Sequence, residues 1–143
     1  MLLARGHSRT LPFGRDLRGA GLIDVTSYPS IADLLTVSDI LVTDYSSVMF
    51  DWAMTGRPYV FFTPDLAHYS ADLRGFYFDL LAEAPGPVVA TRAELLDVLA
   101  VPDAGAAAHA ERRAEWSARF APHDDGSAGS RIVRRMRDEG MLG

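Results

Sequence analysis

The feature that most constrains this chain is the alternation of short apolar runs with helical patterns between Leu22 and Phe62. Leu22 to Val25, Ile31 to Val37, Ile40 to Thr43, Val48 to Met54 and Tyr59 to Phe62 follow one another in the order strand, helix, strand, helix, strand. Runs such as Ile40-Leu41-Val42 and Tyr59-Val60-Phe61-Phe62 do not alternate with polar residues. Strands that read as continuous apolar runs are buried on both faces, and the economical way to bury both is a parallel sheet flanked by helices. The expected fold is therefore α/β, a doubly wound, Rossmann-like parallel sheet. Pro29 predicts a first-turn proline for the helix 31–37, and Gly56 before Arg57-Pro58 predicts the end of a helix over 46–55.

Beyond Phe62 the periodicity gives way to an irregular, aromatic-rich stretch over 63–87, which predicts a functional loop. Its density of rings argues against disorder. Val88-Val89 reads as a short strand, and Thr91-Arg92-Ala93-Glu94 as a capping box opening a helix to Ala100. Two more helices are expected in 105–143, from about 105 to 120 and from about 130 to 139. At 143 residues the whole chain is of single-domain size. The opening Met1-Leu2-Leu3-Ala4-Arg5-Gly6-His7 is a fragment of strand, not a full crossover, and predicts the rear part of something larger. It is too short and too soon polar for a signal peptide, and no run is long and apolar enough to span a bilayer.

Composition removes several chemistries. All 14 basic residues are arginine, against 19 acidic ones, for a net charge of -5. Without lysine there is no Walker-type phosphate loop, no receiver-domain lysine and no Schiff base. Without cysteine there is no thiol nucleophile, thiolate metal site or disulfide. The acidic total argues against nucleic-acid binding. His68, His109 and His123 lack metal-ligand spacing with each other or with the acids, so no metal site and no cofactor are expected.

The segment richest in chemistry is Thr43-Asp44-Tyr45-Ser46-Ser47. A buried strand ends there and a helix begins, so free N–H groups, two hydroxyls and a helix N-terminus meet at the carboxyl edge of the sheet, an arrangement suited to an anion. Ser46 as a plain N-cap is the competing account; a cap uses one hydroxyl, a phosphate can use both. One turn on, Asp51 suits sugar or polyol hydroxyls, or simply faces solvent. His7, beside Arg5 and Gly6 after a strand, is a candidate donor or proton carrier. Arg74, next to Gly75 and three aromatics, is a candidate phosphate clamp, and Asp125-Gly126-Ser127 is a second turn-to-helix junction.

Arg5-Gly6-His7, Thr43-Asp44-Tyr45-Ser46-Ser47 with Asp51, Gly56-Arg57-Pro58, Phe62 to Asp65, Tyr69, Arg74-Gly75-Phe76-Tyr77-Phe78-Asp79 and Pro85-Gly86-Pro87 occur in an order and spacing that resemble CDP-glycerol glycerophosphotransferases. Those enzymes build the poly(glycerol phosphate) of teichoic acids. The resemblance runs from Leu2 to about Arg131. It implies the C-terminal, donor-binding half of a GT-B fold, with CDP-glycerol as donor and a polyol-phosphate or lipid-linked hydroxyl as acceptor. It also implies that His7, Ser46 and Ser47 contact the diphosphate and that Asp51 lies near the ribose or glycerol hydroxyls. Arg5, Thr43, Asp44, Arg74, Asp125, Gly126 and Ser127 would border the donor cleft, with His7 as the catalytic candidate. An N-terminal domain, present in similar enzymes, is not represented. Its absence is expected to uncover apolar surface near Leu2, Leu3, Leu11 and Phe13 and to favour homo-oligomers. The resemblance implies a cytoplasmic location, peripheral at the inner membrane face, with Arg113, Arg134 and Arg135 as candidate lipid contacts. Two other readings are a non-catalytic nucleotide-diphosphate module and a fragment of a GT-B nucleotide-sugar transferase.

Overall fold

The computed structural model describes residues 1–6, 19–66, 78–101 and 106–142. They fall into two compact units, Met1–Val37 and Ser38–Gly143. In the first unit, β1 (Leu2–Ala4) and β2 (Leu22–Asp24) pair in parallel with Leu2 opposite Leu22, and α1 (Ile31–Val37) follows. Gly21 takes a positive φ of 74°, a conformation glycine adopts without steric cost, and its carbonyl accepts from the Leu2 N–H at 2.9 Å. Ser30 starts α1: its Oγ accepts from the Asp33 N–H at 3.2 Å. Pro29 therefore precedes the cap and is not in the first turn, because the serine hydroxyl satisfies a free amide that proline, with no hydrogen-bonding side chain, leaves open.

The second unit carries β3 (Leu41–Thr43), α2 (Val48–Ala53), β4 (Tyr59–Phe62), α3 (Leu80–Glu83), β5 (Val88–Val89), α4 (Arg92–Ala100), α5 (Ala110–Phe120) and α6 (Ala128–Asp138). The strands pair in parallel in the order β3-β4-β5, with Leu41 opposite Tyr59 and Phe61 opposite Val88. Burial explains the unbroken apolar run. Tyr59, Val60 and Phe61 are 2%, 2% and 0% exposed, so consecutive side chains on opposite faces are all covered. Each large side chain buried this way contributes about 1.5–3 kcal/mol.

The helix read over 46–55 is regular only over six residues, because Ser46 and Ser47 form the turn into it and Gly56, at φ 65°, ends it. One face of α2 buries Met49, Trp52 and Ala53. The Trp52 indole N–H donates to the Arg57 and Pro58 carbonyls at 3.2 and 3.1 Å, closing the turn into β4. Against α2 lies α5, with the Trp116 ring stacked on Phe50 at 5.8 Å and Phe120 at 4.8 Å from it. Phe78 meets both Phe50 and Trp116 edge-on at 6.3 and 5.3 Å. Polar groups of α5 also hold the C-terminal end of α2. The Ser117 hydroxyl donates to the Ala53 carbonyl, and the Arg113 Nε donates to the Gly56 carbonyl at 3.2 Å.

In the 63–87 stretch, Asp79 caps α3 by accepting from the Leu81 and Ala82 N–H groups at 3.0 and 3.1 Å. This short helix is absent from the sequence reading, since four residues are too few to show a period. Pro85-Gly86-Pro87 then runs close beneath β4, where an added Gly86 Cβ would stand 2.4 Å from the Tyr59 carbonyl oxygen. The capping box opening α4 forms as read. Thr91 Oγ1 accepts from the Glu94 N–H at 3.3 Å and the Glu94 carboxylate accepts from the Thr91 and Ala90 N–H groups at 2.9 Å each. Those backbone donors, Thr91 first, hold the Glu94 pKa below the usual glutamate value.

Candidate functional site

Because β3, β4 and β5 run parallel, the segments leaving them emerge on one edge of the sheet. Thr43, at the end of β3, is buried at 9% exposure. Asp44 comes next and its Oδ1 accepts from the Ser46 N–H at 3.0 Å, folding the chain into an Asx turn. The turn is thus organised by Asp44 and not by a serine. Ser46 Oγ accepts from the Val48 N–H at 3.4 Å, a long and weak bond. Ser47 occupies the N-cap position of α2, with φ -60° and ψ -12°, and its side chain makes no capping bond. Both serines are exposed. Their hydroxyls stand at a helix start that needs neither of them fully.

Asp51, in the first turn of α2, is exposed on the side away from the buried Met49 and Trp52 face. From the end of β4, Thr63 continues the ladder by donating its N–H to the Val89 carbonyl at 2.8 Å. Its side-chain hydroxyl is buried and has no hydrogen-bond partner among the described residues. A proline-initiated turn follows, closed from Leu66 N–H to the Thr63 carbonyl at 3.3 Å. It carries Asp65, whose Oδ1 accepts from the Tyr45 hydroxyl at 2.8 Å. One side-chain bond thus joins the segment after β3 to the segment after β4. Sequence reasoning gave Tyr45 and Asp65 no place in the site, although Pro64-Asp65 is the turn signal that accompanies the pair.

The other described candidates have bonds of their own. Arg5 lies in the first unit and donates from NH1 to the Tyr28 carbonyl at 2.9 Å. In the second unit, Asp125 Oδ1 accepts from the Ser127 N–H at 2.8 Å and from Arg131 NH1 at 2.6 Å. The Arg131 guanidinium, and then the Ser127 amide, hold this carboxyl below the usual aspartate range. Gly126 makes the turn at φ 76°. Asp125 thereby serves the start of α6, while Ser127, at its N-cap, makes no side-chain capping bond. His7 and Arg74 lie outside the described residues, as do His68, Tyr69, Leu11 and Phe13. Leu2 is exposed and Leu3 half-buried. Among the described residues no group of three His, Cys, Asp or Glu is placed to hold a metal ion. No helix there is long and apolar enough to cross a membrane.

Solved structures share this fold. The wall teichoic acid polymerase TagF superposes over 96% of this chain with a TM-score of 0.78 and 33% identity, and the chain covers 34% of that structure. A TagF variant given a 30-minute CDPG soak matches with a TM-score of 0.77 at 32% identity, again over 96% of this chain and 34% of that one. The fold is therefore α/β with parallel sheets, matching the GT-B-type fold of TagF. Among relatives, the teichoic acid glycerol-phosphate transferase of Staphylococcus aureus is 45% identical over 113 residues, 79% of this chain and 29% of its own length. The teichoic acid poly(glycerol phosphate) polymerase of Bacillus subtilis is 51% identical over 76 residues, 53% of this chain and 10% of its own. The chain thus spans under a third of the length of either relative. Residues 3–138 match the family model for CDP-Glycerol:Poly(glycerophosphate) glycerophosphotransferase, and the chain belongs to that family.

Proposed function

We propose that this chain is the donor-binding part of a glycerophosphotransferase that transfers glycerol phosphate from CDP-glycerol to a hydroxyl acceptor in teichoic acid synthesis. The observation that carries the reading is the uncommitted Ser47 hydroxyl, exposed at the N-cap of α2 beside the weakly bonded Ser46. Two exposed hydroxyls at the positive start of a helix match the oxygens of a diphosphate. Asp51, one turn further, suits ribose or glycerol hydroxyls. His7 and Arg74 join the donor site on the strength of the family resemblance, with His7 the catalytic candidate; Thr43, Asp44, Gly126 and Ser127 shape its rim. The family membership and the CDPG-soaked relative support the choice of donor.

In this reaction the acceptor oxygen attacks the phosphorus that bears glycerol, the bond from that phosphorus to the CMP oxygen breaks, and CMP leaves with the electron pair. The acceptor proton passes to a base. Charge accumulates on the phosphoryl oxygens, where hydroxyl and amide donors fixed before the reaction stabilise it best. The acceptor, a polyol phosphate or a lipid-linked hydroxyl, and the remaining part of the enzyme complete the cleft. We assign the location to the inner face of the cytoplasmic membrane, where Arg134 and Arg135 of α6 suit anionic lipid, Arg135 by exchanging its ion pair with Glu139 (2.8 Å); Arg113 is taken up by the Gly56 carbonyl.

Calorimetric titration of the chain with CDP-glycerol, CDP and UDP-glucose tests the reading. Cytidine ligands are expected to bind and UDP-glucose not to. Replacing Ser46 and Ser47 together by Ala is expected to weaken binding by about 1–3 kcal/mol with the fold intact. Unchanged affinity in that variant would remove the serines from the site, and preference for UDP-glucose would point to a sugar transferase.

A further inference from the structure

We infer that Tyr45 and Asp65 form a latch that positions the Thr43 to Ser47 segment for the donor, with Tyr45 acting through Asp65 and not on the ligand. The inference rests on the donor reading above. Parallel strands leave their carboxyl-end segments unconnected, because the ladder bonds stop where the strands stop. After β3 the Asx turn at Asp44 fixes only its own local shape. The Tyr45 hydroxyl, donating to Asp65 Oδ1 at 2.8 Å across 20 residues of sequence, ties that turn to the segment after β4.

Both ends of this bond are themselves anchored. Tyr45 is half-buried, so its ring has few orientations open to it. Asp65 sits at the third position of the Pro64 turn, whose first residue, Thr63, is fully buried and bonded into β5 through the Val89 carbonyl. The position of β4 is thereby transmitted to the residue immediately before Ser46. A hydroxyl-to-carboxylate bond is stronger than one between neutral groups, and the exposure of Asp65 moderates it. Holding a binding segment in its bound geometry raises affinity by removing the ordering cost at the moment of binding.

The test uses the whole chain with Tyr45→Phe, Asp65→Ala and the double variant. In the unliganded protein, amide hydrogen exchange at Ser46, Ser47 and Val48 is expected to rise about fivefold in each single variant, with Val60 to Phe62 unchanged. Equal exchange in variant and parent overturns the latch. In calorimetry with CDP-glycerol, each single variant is expected to bind about five- to tenfold more weakly at an unchanged melting temperature. The double variant is expected to be no weaker than the worse single one. Additive losses, or a loss on Tyr45→Phe with none on Asp65→Ala, overturn it in favour of direct ligand contact. If the parent chain binds no CDP-glycerol, the donor reading fails, and the exchange experiment alone decides the latch.

Discussion

Gly86→Ala is expected to be severely destabilising. The new methyl carbon would lie 2.4 Å from the Tyr59 carbonyl oxygen and 2.9 Å from both the Tyr59 carbonyl carbon and its Cβ. Ordinary carbon–oxygen contact begins roughly 1 Å further out. Two of the three atoms are backbone in a strand whose side chains are fully covered, so no flexible group can swing aside. Relief requires the Pro85-Gly86-Pro87 segment to move away from β4. That movement strains two bonds at its end, Phe61 N–H to the Pro87 carbonyl and Thr63 N–H to the Val89 carbonyl, both 2.8 Å. Overpacking costs about 1–3 kcal/mol, and a buried donor left unpaired about 1–3 more. A loss of about 2–6 kcal/mol is expected, a large part of the stability of a small domain. Both tryptophans, Trp52 and Trp116, lie in the second unit, so indole fluorescence in a urea titration reports that unit alone. Gly129→Ala serves as the control. Nothing lies within 4 Å of its added carbon, and at the second position of α6 the change is expected to stabilise by at most about 0.5–1 kcal/mol or leave the midpoint unmoved. A Gly86→Ala midpoint within error of the parent would refute the steric argument.

Other outcomes follow from the same geometry. Thr91→Ala removes one half of the capping box and is expected to cost about 1 kcal/mol, read as a lower urea midpoint. Burial raises the Tyr59 hydroxyl pKa above its ordinary value, against a smaller lowering by Arg113. Its contribution is complete below the unfolded value of about 10 and is lost as pH rises beyond it, so Tyr59→Phe should lessen the alkaline loss of stability in a series of melts. Glu94 and Asp125 are shifted downward, so their contributions are present above the unfolded values of roughly 4 and fade as pH falls below them. Asp125→Asn should flatten the acid limb of the same series. Arg134→Ala with Arg135→Ala is expected to lower co-sedimentation with vesicles rich in anionic lipid, at about 1 kcal/mol per arginine, and leave neutral vesicles unaffected.

Much of this fold was legible because its signals are local. Tyr59 to Phe62 has no polar residue to offer solvent, and Thr91 with Glu94 announces its helix start within four positions. The arrangement of the site was less so. Ser46 reads as a plain N-cap or as half of an anion site, because nothing in a linear pattern tells that Asp44 has taken over the turn. Tyr45 meets Asp65 only when β4 lies beside β3, and a pairing set by strand register leaves no period in the sequence. Asp79 caps a helix of one turn, too brief for its apolar spacing to be recognised. His7 and Arg74 are candidates from their neighbours in sequence and are strengthened by the family resemblance; both lie outside the described residues.

The order β3-β4-β5 is also the order of synthesis. Each strand pairs with the one made just before it, so the contacts of the second unit can form progressively as chain becomes available, with no early strand waiting for a distant partner. The Tyr45 and Asp65 bond becomes possible as soon as β4 has docked, before α5 exists to cover Phe50. The candidate donor edge is thus an early product of folding, and its aromatic backing is added last.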